Sequence, residues 1–273
     1  NQSGTIAANQ HVQIQANSIL NTAGKIRSEQ NKLTLQVQQD LDNQNGEIFA
    51  GTDADIQASG IDNQTGTIYS KNQLGLNAKQ LNNQQGQIYS EDQAQIDVQG
   101  DIQNNNGVLL AGKNLDIQSR LLDNTEGTIR SEKSDLHIAA QGQLLNQKGD
   151  IYAAQNASLN SVGLDNTAGQ IVAQNQLIID TQKQQLSNQN GKIIAKTVDL
   201  KTGKLDNQTG LIQAEQSVKI DTQQNALLNN HSGNNAGILS QGSLDLLNIT
   251  QLENTRGYIA AIGSANIAAQ NIN

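Results

Sequence analysis

The residues of this chain that could do chemistry are few and scattered. Its three imidazoles, His11, His137 and His231, share no position in any local pattern, so they do not read as one metal site. Cysteine is absent, which excludes disulfides and thiolate metal centres. No serine stands in a G-x-S-x-G elbow with a histidine in phase, so nucleophilic catalysis has no support. The carboxylates are more suggestive. Asp53, Glu91 and Asp92 each fall five to seven residues after a recurring glycine, so stacking the glycines would bring them close. Gathered carboxylates could bind calcium or act as acid and base on a glycosidic bond. The plainer reading is a solvated acidic patch, because no long insertion nearby could wall a cleft.

The aromatic residues follow a sharper rule. There are only five, one Phe and four Tyr. Four of them stand three residues after a recurring glycine, in the series Phe49, Tyr69, Tyr89, Leu110, Arg130, Tyr152, Val172 and Ile194. Flanking residues of that position are apolar or small and point inward, so the series faces outward. A contiguous exposed apolar stripe could bind a protein or glycan partner or pack filaments side by side. The structural alternative is a self-stacking ladder that stiffens its own sheet.

What positions these residues is a repeat. The glycines are Gly4, Gly24, Gly46, Gly66, Gly86, Gly107, Gly127, Gly149, Gly169, Gly191, Gly210, Gly237 and Gly257. They recur every 19 to 22 residues, apart from one interval of 27 before Gly237. Each has Asn three residues earlier: Asn43 before Gly46, Asn63 before Gly66, Asn83 before Gly86, Asn104 before Gly107, Asn124 before Gly127, and so on to Asn234 and Asn254. Two residues after each glycine stands Ile, or Leu at Leu109 and Leu239; four after it stands Ala or Ser, except Gln241. Within a repeat the apolar period is two, which is the strand signature. One strand is Gly66-Thr67-Ile68-Tyr69-Ser70, a second Leu74-Gly75-Leu76-Asn77-Ala78, and a short third ends at Leu81.

Three short strands and three bends in about 20 residues describe one coil of an all-β parallel β-helix, a β-solenoid of about 13 coils. At about 4.8 Å per coil the array would reach roughly 60 Å. Residues 1–273 read as one continuous repeat domain, with the turn apparently duplicated at 228–237. A leucine-rich repeat has a similar period and an Asn, but its return segment is helical or loose, whereas here it alternates like a strand. Asn and Gly are expected to make the bend, because both tolerate left-handed backbone. The Asn amides can also bond one another from coil to coil. Recurrence in every coil marks them as structural, since a catalytic residue would occur once.

Composition agrees with a thin core. Apolar residues are 35%, below the roughly 45–50% of ordinary domains. Strict periodicity separates this from disorder. The net charge of −8 argues against a nucleic-acid partner, and no apolar run is long enough to insert in a membrane. Nothing calls for a cofactor. The chain begins on a motif Asn and stops within a repeat, which reads as a segment of a longer protein.

The string L-D-N-x-x-G-x-I-x-[AS]-x-x-x-L-x-[LI]-x-[AV], at Leu41–Ala58, Ile61–Ala78 and Leu81–Val98, resembles the repeats of filamentous haemagglutinin-like exoproteins. The resemblance covers essentially the whole chain. It implies a right-handed β-helical filament, secreted through the outer-membrane transporter of a two-partner system to a Gram-negative cell surface. It also implies adhesion to a host or neighbouring-cell protein or glycan, or presentation of a toxin as in contact-dependent growth inhibition. A polysaccharide lyase or hydrolase on the same fold is the enzymatic alternative; the resemblance favours a non-enzymatic role.

Overall fold

The computed structural model describes residues 1–233 and 235–273. Asn234, the motif Asn assigned above to Gly237, lies outside the described residues. The described residues form strands and turns with no helix. They divide into two compact units, Asn1–His137 and Ile138–Asn273, each built as a β-solenoid of parallel strands.

In the first unit the coil that follows Asn63 has strands Thr67–Ser70, Leu74–Ala78 and Gln80–Asn82. Each pairs in parallel with its equivalent one coil away, with no shift of register: Ile48, Ile68, Ile88, Leu109 and Ile129 stack in one interior column. Alternation of side chains then places Ile68 and Ser70 inside and Thr67 and Tyr69 outside. One coil buries too little apolar surface to stand alone, and the column becomes a core only through its neighbours.

The second unit keeps the interior column through Ile151, Ile171, Ile193, Ile212, Ile238 and Ile259. From Lys192 onward its strands run through corners that are broken elsewhere, giving Lys192–Lys201, Leu211–Leu228 and Ser243–Glu253. Register slips at Ala195/Thr197 absorb the change.

Two expectations are corrected by the coil with the long interval. Gly237 pairs with Leu211, the residue after Gly210, so Gly237 sits one place further along than a motif glycine. The interior residue is therefore Ile238, fully buried, and Leu239 faces outward; Ser240 occupies the small-residue place that Gln241 seemed to break. A 22-residue interval from Asn207 to Asn229 replaces the apparent 27, because Asn229 supplies the buried amide of this coil.

Candidate functional site

The bend after each third strand is where the repeat invests its polar groups. Asn63 is fully buried, and its Nδ2 donates to Asn83 Oδ1 at 2.7 Å, to the Gly66 carbonyl at 3.2 Å and to the Gln87 carbonyl at 3.2 Å. In the first unit the same amide-to-amide bond joins Asn1, Asn21, Asn43, Asn63, Asn83, Asn104 and Asn124 in turn. In the second it joins Asn146, Asn166, Asn188, Asn207, Asn229 and Asn254. A buried amide left unpaired would be costly, so each Asn needs the next.

The reason for glycine differs from the one expected. The left-handed residue is the one before it, Asn45, Thr65, Gln85, Asn106 or Glu126, with φ between 54 and 57°, or 53° for Thr65. Gly46, Gly66, Gly86, Gly107 and Gly127 have ordinary backbone. They are glycine because of a close approach: a Cβ on Gly66 would lie 2.1 Å from the Asn43 carbonyl oxygen and 2.7 Å from Asn63 Oδ1.

On the outside of the first strand the stripe is assembled, half-buried, in the first unit. Phe49 and Tyr69 stack with centroids 5.4 Å apart and planes 17° apart; Tyr69 and Tyr89 follow at 5.2 Å, tilted by 46°. Arg27, which the same three-after-glycine rule would have found, lies over the Phe49 ring at 4.3 Å. Its guanidinium holds the Glu29 carboxylate with two bonds of 2.8 and 3.2 Å, and these hold Glu29 below its usual carboxylate range. Beyond Tyr89 the stripe continues through Leu110 and Arg130. Tyr152 belongs to the second unit, where its register neighbour is Val172.

The phenols are electrostatically unusual. Burial, a hydrogen bond to Glu91 and that carboxylate's charge push the Tyr69 hydroxyl well above its ordinary range. Tyr89 is raised too, by burial and then by Glu91 and Glu132, although its hydroxyl has no hydrogen-bond partner among the described residues. Because Leu110 is shorter than Tyr89, a dent of about 460 Å³ opens between them, edged by Glu91 and Glu132.

The carboxylates singled out from sequence are each engaged with the protein itself. Asp53 accepts from the Gln73 backbone N–H at 3.2 Å, Glu91 from the Tyr69 hydroxyl, and Asp92 pairs with Lys113 at 2.5 Å. Among the described residues no three His, Cys, Asp or Glu side chains are grouped to hold a metal ion. His11, His137 and His231 are exposed.

The haemagglutinin repeat model matches residues 1–45, 34–106, 103–148 and 145–190. The chain belongs to the haemagglutinin repeat family. No curated protein and no solved structure matches it significantly. Haemagglutinin repeats are adhesin-type structural segments of secreted or cell-surface proteins, and the family is not an enzymatic one. The matched haemagglutinin repeats end at residue 190, two residues before the first of the merged strands at Lys192.

Proposed function

We propose that this chain is a spacer segment of a large secreted exoprotein, extending binding or toxin modules away from a Gram-negative cell that exported it by a two-partner system. The observation that supports this is the repetition of one device, a buried Asn bonded to the Asn of the next coil, through both units. Each coil spends its polar chemistry on its neighbours, which suits a stiff extension better than a reaction centre. In the parent protein, replacing whole coils by an equal number of other coils from this chain should leave target binding unchanged. Adding coils should lengthen the filament by about 4.8 Å each in electron micrographs. Loss of binding after a length-preserving exchange would overturn the spacer role.

A second reading, that the segment itself touches a partner protein or glycan, is favoured by the stripe and by the dent beside Tyr89. The double variant Tyr69→Ser/Tyr89→Ser tests it. Unchanged cell binding and self-association by a folded variant would leave the stripe a stiffening device only.

A further inference from the structure

A second surface, on a different edge of the coil, carries a groove that the stripe does not touch. It lies within the first unit, at the corner that ends the second strand, and encloses about 860 Å³ while remaining open to solvent. Its floor is made of small side chains, Ala16, Val37, Ala58 and Ala78. One wall is a row of exposed amides in strict register, Gln15, Gln36, Gln57 and Asn77. The lining also includes Asn17, Gln38 and Gln99. Five coils contribute, so the groove runs for about 19 Å along the stack.

These amides behave unlike those of the turn. Gln15 bonds Gln36 at 2.7 Å, but the side-chain amides of Asn17, Gln38, Gln57, Asn77 and Gln99 have no hydrogen-bond partner among the described residues. Each offers two N–H donors and one carbonyl acceptor. Lys79 is the one charged residue of the lining, in a chain whose net charge is −8.

We infer that this groove binds an uncharged linear glycan. A sugar hydroxyl is at once donor and acceptor, as an amide group is, so a file of hydroxyls can pair with a file of amides without leaving either orphaned. The small floor admits the edge of a ring, and the coil spacing is close to the sugar spacing of an extended chain, so successive units meet equivalent amides. An anionic polymer would find a single lysine and an acidic protein. A β-strand of another protein would find no free backbone edge, because the N–H groups here are taken by the neighbouring coil, as Ala58 N–H is by the Asn77 carbonyl at 3.1 Å. The volume lies within the usual range of ligand sites.

The test uses the chain of residues 1–273 with hexamers of β-1,4-glucose, β-1,4-N-acetylglucosamine and α-1,4-glucose, and hexagalacturonate as the charged control. Binding is read by isothermal titration and saturation-transfer NMR. At least one neutral hexamer should bind, and Gln36→Ala/Gln57→Ala/Asn77→Ala should weaken it by about tenfold or more. Tyr69→Ser/Tyr89→Ser should leave it unchanged, and hexagalacturonate should not bind. Should the triple variant lose its circular-dichroism spectrum, Gln36→Ala and Gln57→Ala separately should each weaken binding by about threefold. Failure of all three neutral hexamers to bind overturns the inference. So does full binding by the folded amide variants, equal binding of hexagalacturonate, or loss of binding in the tyrosine variant.

Discussion

Asn63 donates its side-chain N–H to Asn83 at 2.7 Å, and Asn43 donates to Asn63 at the same distance, so every internal member of the file is both donor and acceptor. This directionality makes the file cooperative. Removing one member strands groups in two other coils.

Asn63→Ala should therefore destabilise the first unit by about 2–4 kcal/mol, because Asn43 Nδ2 loses its amide acceptor, Asn83 Oδ1 its amide donor, and the Gly66 and Gln87 carbonyls each lose one donor. Coupling between nearest neighbours should localise the loss. Native-state hydrogen exchange would show it as faster exchange at Gly66 and Gln87; protection equal to that of the parent chain would contradict it.

Gly66→Ala and Thr65→Gly separate close approach from backbone conformation. The added methyl meets the Asn43 carbonyl oxygen at 2.1 Å, so Gly66→Ala should cost about 3 kcal/mol or more and lower the denaturation midpoint sharply. Thr65 already occupies left-handed backbone at φ 53°, so Thr65→Gly should shift stability by no more than about 1 kcal/mol either way. Equal costs for the two would refute the assignment of the glycine's role.

Alkaline pH should weaken the first unit. Unfolded phenols ionise near pH 10, whereas burial and the Glu91 carboxylate keep Tyr69 and Tyr89 protonated above that value. Between the two values the unfolded state binds fewer protons than the folded state. Stability is then fully present below about pH 10 and falls as pH rises past it. Tyrosinate absorbance should show a late-titrating component that Tyr69→Phe reduces. Titration of Tyr69 and Tyr89 near pH 10 would be inconsistent with this environment.

In the second unit Asn229→Ala should cost as much as Asn207→Ala, about 2–4 kcal/mol, because Asn229 accepts from Asn207 and donates to Asn254, each at 2.8 Å. Asn235→Ala, at an exposed position five residues after Asn229's neighbour, should change the midpoint by less than about 0.5 kcal/mol. The comparison by denaturant unfolding decides whether Asn229 carries the coil.

Much of this was legible in the residues themselves. The period of two across Ile68 and Ser70, repeated every 20 residues or so, determined strand, coil and interior column, because alternation and stacking leave those side chains nowhere else to go. The stripe through Phe49, Tyr69 and Tyr89 followed from the same alternation. Counting residues misled at the long interval, where Asn and Gly recur in a turn and spacing alone could not say which Asn enters the file. Register decided it: Gly237 pairs with Leu211, and Asn229 meets Asn207.

The sequence by itself determined the repeat, its faces and the family that shares it. Tertiary structure alone decided why Gly66 is glycine, since the obstructing oxygen belongs to Asn43, a coil away. It alone decided which amides are spent and which are free. Asn63 and Asn77 are the same residue type 14 positions apart, yet one is sealed in a bonded file and the other lines an open groove. That difference comes from the neighbouring coils, whose distance in space no local pattern of residues records.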